Sequence, residues 1–368
     1  MSKVGIIGAG AWGTAIAKNI GENGHDVLMW AFEEDVVKGI NDDNENRRYL
    51  PGIRLPKAVK ASTDIREAAS GREFIILASP SLFLLSTIRQ ILTVPSIMEG
   101  EAVIGVLTKG FMLTNRGPRL IIETLEDYLP GFYKGNLVYI SGPSHAEEVS
   151  RGILTGLISA SQNPRNSIKI RELLNSRTLM MFSSLDVVGV QVSAALKNVI
   201  AIAFGILDAL KEYSGSVGDN TESLLLAGGL NEIQQFGAAV GASHPETFTS
   251  IAAVGDLDVT CRSIHGRNRR FGREIILKDL LQKYSGIDEL INDFQNIGYL
   301  PEGAVAVRAM KEIVDRQKLK MPISMGVYRI LNKESKPLEE SERILQTLTG
   351  ASIKPGDIDF HVDLSKHL

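Results

Sequence analysis

A single cysteine, Cys261, in 368 residues excludes an internal disulfide and any cysteine-rich metal site. Six histidines are scattered without metal-binding spacing, so no metal is expected. The chain has no long basic run and a net charge of −3, which argues against nucleic acid or an anionic membrane as its main partner. No uninterrupted apolar stretch reaches the length of a membrane span, because Lys197 and Asn198 break the best candidate. The first residues read as a strand rather than a signal peptide, so a reduced, cytoplasmic protein is expected. What is left, 44% apolar and 23% charged residues, is ordinary for a soluble globular chain, and the length suits two domains with sizeable cores.

What the chain does have begins at its N-terminus. Val4–Ile7 is apolar, Gly8-Ala9-Gly10-Ala11-Trp12-Gly13 is a glycine-rich turn, and a helical pattern follows. Gly8 permits the tight turn, Gly10 lets backbone approach a pyrophosphate, and Gly13 lets helix and strand pack closely. The phosphates of a dinucleotide would rest on the free N–H groups of the helix N-terminus. A second strand ends at Phe32-Glu33, and Glu33 lies 20 residues after Gly13, where a ribose-binding carboxylate belongs. That carboxylate would repel the 2′-phosphate of NADP, and no Arg or Lys stands between it and Lys38. The expected cofactor is therefore NAD, with NADP usable but disfavoured by ~10-fold or more. Trp12 reads as packing or shielding this turn rather than as a chemical group.

Strands and helices alternate through the first half. Residues 73–78, 102–107, 137–141, 154–160 and 179–184 read as further buried strands, residues 82–92 and 118–129 as helices, and 41–56 as a long loop. The alternation predicts an α/β domain with a doubly wound parallel sheet over residues 1–185. Beyond residue 186 long helical patterns take over, giving a second, helical domain over 186–368 that ends in a largely polar tail from Asp357. In open parallel sheets ligands bind beyond the carboxyl ends of the strands. Gly8–Gly13, Phe32-Glu33, Ser79-Pro80, Thr108-Lys109-Gly110 and Ser141-Gly142-Pro143-Ser144 occupy those positions, so Lys109 brings positive charge to the cofactor's place. Without the sheet edge, Lys109 would be an ordinary loop lysine.

In the helical half, Lys197 is the only charge in a long apolar stretch. An ammonium there must find a partner, reach water, or give up its proton. Ala194, Ala201 and Gly205 lie near its helix face, leaving room for something bulky. It is either an acid/base or a lysine snorkelling to the surface. Gly255-Asp256-Leu257 and Thr260-Cys261 set carboxylate and hydroxyl among apolar residues, with Cys261 read as a buried small residue before a nucleophile. Arg267-Asn268-Arg269 suits a phosphate, or is simply a solvated basic helix start.

Taken together and in this order, Gly8–Ala15, Thr108-Lys109-Gly110, Ser141–Ser144, Ala195-Leu196-Lys197-Asn198, Gly255-Asp256-Leu257 with Thr260-Cys261, Arg267-Asn268-Arg269 and Pro301-Glu302-Gly303 resemble the NAD(P)-dependent glycerol-3-phosphate dehydrogenase family over nearly the whole chain. The resemblance implies a Rossmann domain, then an all-helical domain like that of 6-phosphogluconate dehydrogenase. It implies interconversion of sn-glycerol 3-phosphate and dihydroxyacetone phosphate, supply of glycerol 3-phosphate for phospholipid synthesis, and a homodimer. By the same resemblance, Lys197 is the acid/base, held near Asp256. Gly8, Gly10, Ala11, Trp12, Gly13, Phe32, Glu33, Phe83, Lys109, Ala146, Arg267, Leu300 and Glu302 contact the cofactor. Lys109, Gly142, Ser144, Lys197, Asn198, Asp256, Thr260, Gly266, Arg267 and Asn268 contact the substrate. Gly266 stands where the family commonly has serine, His145 where it has phenylalanine, Gln191 and Ala194 where it often has glutamate and glycine, and Gly228 where arginine is common. The alternatives are a related dehydrogenase of another hydroxy or keto acid, against which the Arg267-Asn268 pair speaks, and a non-catalytic dinucleotide sensor, against which Lys197 and Asp256 speak.

Overall fold

Continuous apolar runs become inner strands of a parallel sheet because helices cover them on both faces. The computed structural model describes residues 1–212, 217–263 and 266–349. Its strands are β1 (Lys3–Ile7), β2 (Asp26–Trp30), β3 (Val59–Ser62), β4 (Phe74–Leu77), β5 (Val103–Val106), β6 (Phe111–Thr114), β7 (Gly117–Leu120), β8 (Val138–Ser141), β9 (Thr155–Ala160) and β10 (Leu179–Ser184). Eight of them form one sheet in the order β10-β9-β8-β5-β4-β1-β2-β3, and β6 and β7 form a separate hairpin. Registers align the carboxyl ends: Ile7 is level with Trp30 and with Leu77, and Leu77 with Val106. The doubly wound sheet is the one expected, with one departure. β9 pairs antiparallel with β8, and β10 follows β9 in parallel. The β8–β9 connection carries only the five-residue helix Ala146–Ser150, too short to return along the sheet as a parallel crossover must.

Three further elements escape the pattern. β3 is an edge strand with an exposed Lys60 and little apolar signal. Residues 118–120, expected to open a helix, are the second strand of the hairpin, and the helix Ile121–Tyr128 starts after it. Thr114 Oγ1 donates to the Gly117 carbonyl (2.8 Å) and closes that turn, with Gly117 at φ +91°. The expected loop over 41–56 holds part of a short π-helical turn, Gly39–Asp43, and a bridge between Glu45 and Arg54.

By its contacts the chain forms two units, Met1–Met112 with Arg119–Gln191, and Leu113–Pro118 with the chain from Val192 onward. By contacts the division falls inside the helix Val187–Lys211. Gln191 explains why its first turns belong to the first unit: its Oε1 accepts from the Ile122 N–H at 2.9 Å. The tail from Asp357 lies outside the described residues.

Among the described residues the second unit has no strand outside Leu113–Pro118. The helix Val187–Lys211 is long and apolar enough to cross a membrane, yet 94% of its most apolar window is buried inside the protein. An apolar surface all round is what a central core helix needs. It crosses the helix Arg267–Leu277 at backbone contact. A Cβ on Gly205 would lie 1.9 Å from the Arg269 carbonyl oxygen, and one on Gly272 only 2.1 Å from that of Ile202. No residue but glycine fits either position.

Glu232, on the helix Asp219–Ala239, caps a neighbouring helix end. Its carboxylate accepts from Ile323 N–H (2.6 Å), Ser324 N–H (2.9 Å) and Ser324 Oγ (2.6 Å) at the start of Pro322–Leu331. Burial pushes this carboxyl up to about 7 from 4.5, against the pull of those hydrogen bonds. A carboxyl raised in the folded state holds a proton that the unfolded chain has released, so between pH 4.5 and about 7 rising pH costs stability. The urea midpoint of Glu232→Gln is expected to gain on wild type as pH rises from 5 to 8. A gap constant across that range would refute this titration. Glu232→Ala, which strands the two buried N–H groups, is expected to cost about 2 kcal/mol or more.

Candidate active site

Strands β1, β2, β4, β5 and β8 are parallel, so the turns after them leave from one edge of the sheet. Gly8, at φ +123°, has no room for a side chain: a Cβ would lie 2.9 Å from the Ala78 carbonyl carbon. A Cβ on Gly13 would lie 2.2 Å from Gly8 O, which is the close helix–strand packing that the motif demands. Gly10 is different. It caps the helix Ala11–Glu22, and a Cβ there would meet nothing within 4 Å. The backbone at this N-cap is therefore open to approach, as a pyrophosphate on the first-turn N–H groups needs. These residues therefore fit a dinucleotide. Trp12 packs on the core beneath, while Phe32 (83% exposed) and Phe83 (45%) stand out at the same edge.

The turns are stitched together. Ser79 Oγ donates to Ile7 O (3.2 Å) and Thr108 Oγ1 to Ser79 O (2.7 Å). Lys109 Nζ reaches Ser144 Oγ (3.0 Å) and Gly142 O (3.3 Å), so these three expected substrate contacts form one cluster. Ala146 is the buried first residue of the helix that follows. Glu33 ends the second strand's turn as expected, but it is engaged: Tyr49 donates its hydroxyl to Glu33 Oε1 at 2.5 Å. Burial and that carboxylate push the Tyr49 phenol up to about 12.

The second unit gathers its own constellation. Lys197 is buried (6% exposed) and pairs with the wholly buried Asp256, and its Nζ also donates to Thr260 Oγ1 at 2.9 Å. Thr260 in turn donates to the Asp256 carbonyl at 2.6 Å, which fixes the hydroxyl's direction. The lysine does not snorkel. Asp256 and Thr260 lie one turn apart on the helix Asp256–Arg262, which explains their spacing in the chain. Asn198 is buried beside Lys197, and its side chain has no hydrogen-bond partner among the described residues. Asn268, the second residue of the helix Arg267–Leu277, accepts from Gly303 N–H through Oδ1 (2.9 Å), so its amide NH₂ can turn elsewhere. That bond ties Asn268 to the start of the helix Glu302–Gln317, just after Leu300. Arg267 is exposed at its helix N-terminus. Asp208, itself buried, pairs with Arg269, whose Nη1 also donates to Arg262 O at 2.6 Å, holding the helix start in place.

Residues 3–167 match the family model for the N-terminus of NAD-dependent glycerol-3-phosphate dehydrogenase, and residues 186–342 match that for its C-terminus. The chain belongs to the NAD-dependent glycerol-3-phosphate dehydrogenase family. It is 55% identical over 350 residues to glycerol-3-phosphate dehydrogenase [NAD(P)+] of Treponema denticola, covering 94% of this chain and 98% of that one. The Bacillus subtilis enzyme of the same name is 35% identical, with 90% of each chain covered. The crystal structure of glycerol-3-phosphate dehydrogenase from Coxiella burnetii superposes with a TM-score of 0.79 at 29% identity, over 94% of this chain and 99% of that one.

Within the glycerol-3-phosphate dehydrogenase family, two of this chain's departures have structural reasons. A Cβ on Gly266 would lie 3.0 Å from Thr260 O and 3.1 Å from Ser263 O, so a serine there would need those carbonyls to give. Gln191 is a strut: besides holding Ile122 it donates to Val187 O at 3.1 Å. Cys261 is fully buried and burial pushes its thiol up, so it is a packing residue. Three residues beside the glycine turn and Glu33 escape a reading of the sequence, Asn46, Arg48 and Tyr49 in the segment before β3, whereas Gly303 entered it only through the Pro301-Glu302-Gly303 match.

Proposed function

We propose that this chain interconverts sn-glycerol 3-phosphate and dihydroxyacetone phosphate, using NAD(H) or NADP(H). The observation that carries the proposal is the buried Lys197–Asp256 pair, with Thr260 as the lysine's second partner and Asn198 at its side. A reduced nicotinamide cofactor held at the Gly8–Gly13 turn would supply the hydride for the carbonyl carbon. Lys197 polarises the carbonyl oxygen and donates the proton that makes it a hydroxyl, and in the oxidative direction it takes that proton back. Asp256 and Thr260 aim the ammonium head, so that no reorganisation is needed at the moment of transfer. Arg267 and the amide of Asn268 take the phosphate, whose binding energy, remote from the reacting carbon, fixes orientation. A helix N-terminus, which favours anions, supports the same placement. Lys109 with Ser144 and Gly142 adds a cation and a hydroxyl for the substrate.

The test is the fall in NADH absorbance on adding dihydroxyacetone phosphate to the purified chain. Absence of turnover in both directions with either nicotinamide cofactor would sink the proposal. Two further readings rest on the family alone: a homodimer, and a cytoplasmic supply of glycerol 3-phosphate to phospholipid synthesis.

A further inference from the structure

The loop after β2 does not wander. Asn46 is fully buried, and its Nδ2 donates to Ala9 O (2.8 Å) and Thr14 Oγ1 (2.8 Å), inside the glycine-rich turn and its helix. Asn46 Oδ1 accepts from Tyr49 N–H (3.2 Å), and Leu50, also buried, donates its N–H to Asn46 O (2.9 Å). Arg48 and Tyr49 are therefore held between two buried anchors, at the rim of the dinucleotide edge. Tyr49 reaches Glu33, and the Arg48 guanidinium lies 5.8 Å from the Tyr49 ring centroid and 3.3 Å from Asp35 Oδ1. Its neighbour Arg47 is turned to Asp43 (3.2 Å) and Glu45 (3.4 Å) instead. The rim beside Glu33 thus carries a cation that the strand end itself lacks.

We infer that Arg48 is the group that admits the adenosine 2′-phosphate of NADP at this rim. The inference rests on the dinucleotide reading of the glycine edge. A carboxylate at Glu33 takes ribose hydroxyls and repels a phosphate in their place. A guanidinium offers two parallel N–H donors to a phosphate, and at half exposure it can swing from one anion to another. Asp35 is the anion Arg48 holds now. A 2′-phosphate, with more charge and three acceptor oxygens, displaces it. Tyr49, by donating to Glu33, keeps one carboxylate oxygen turned from the incoming phosphate. NADP is then accepted at the expense of the Asp35 pair, and NAD binds without disturbing it.

The experiment titrates the full chain with adenosine 5′-monophosphate and with adenosine 2′,5′-bisphosphate, by calorimetry. Arg48→Gln is expected to weaken the bisphosphate by ~10-fold or more, the low end for losing a charge-assisted pair, and to leave the monophosphate within about twofold. Asp35→Asn, which frees Arg48, is expected to tighten the bisphosphate selectively. The ratio of kcat/KM for NADPH to that for NADH should fall in Arg48→Gln and rise in Asp35→Asn. An equal loss for both nucleotides, no change in either variant, or a wild type that binds neither nucleotide overturns the assignment. Because the nucleotide titration needs no turnover, failure of the ketone assay in wild type would refute the proposed reaction without touching the Arg48 result.

Discussion

Lys197→Met is expected to lower kcat by at least ~10²-fold, the low end for loss of a positioned acid/base, while affinity for the nicotinamide cofactor changes by little. Methionine matches the length of the lysine stem and cannot carry a proton. The cofactor's proposed contacts include the glycine edge of the first unit, which this substitution does not touch. The substitution also strips Asp256 of its cation in a site where that carboxylate is wholly buried. Breaking a buried pair costs about 3–5 kcal/mol, so a fold control is needed. Lys197→Met/Asp256→Asn removes both charges and should restore stability without restoring turnover. If Lys197→Met turns over near the wild-type rate, the lysine is structural and the proposed chemistry falls.

The second large effect concerns the phosphate. Arg267→Ala is expected to raise KM for dihydroxyacetone phosphate by ~30-fold or more, and unphosphorylated dihydroxyacetone should be a very poor substrate. Removing one member of a hydrogen-bonded charge pair costs about 2–5 kcal/mol in desolvated sites. Arg267 is exposed before substrate arrives, so the lower end of that range applies. Arg267→Lys keeps the charge and loses the planar fork, and should fall between the two. Equal activity on the phosphorylated and unphosphorylated ketone would exclude a phosphate role for this end of the site.

Much of the site was legible because its positions are fixed by short-range rules. Gly8 and Gly13 mark a strand-to-helix turn by spacing alone, and strand periodicity then sends Lys109 and Ser144 to the same edge. Lys197 stood out because a charge in an apolar helix needs a partner, and Asp256 was a carboxylate among apolar residues. What stayed hidden depends on contacts that no local pattern encodes. Tyr49 reaches Glu33 across 16 residues, and Asn46 reaches Ala9 across 37, from a stretch whose composition says only loop. Reading the strand end alone therefore missed the cation at the rim. The reversal at β9 turns on how short the intervening helix is, and helix boundaries are the least certain part of a sequence pattern. Gly205 and Gly272 look like helix-weakening residues until the crossing that requires them is seen.

Where Gly205 and Gly272 cross, the two backbones are already at contact, so a side chain at either position would push the helix carrying Lys197 away from the one beginning at Arg267. The Asp208–Arg269 pair locks the same joint from its side. Lys197 and Arg267 thus sit on two helices whose close approach depends on a pair of glycines.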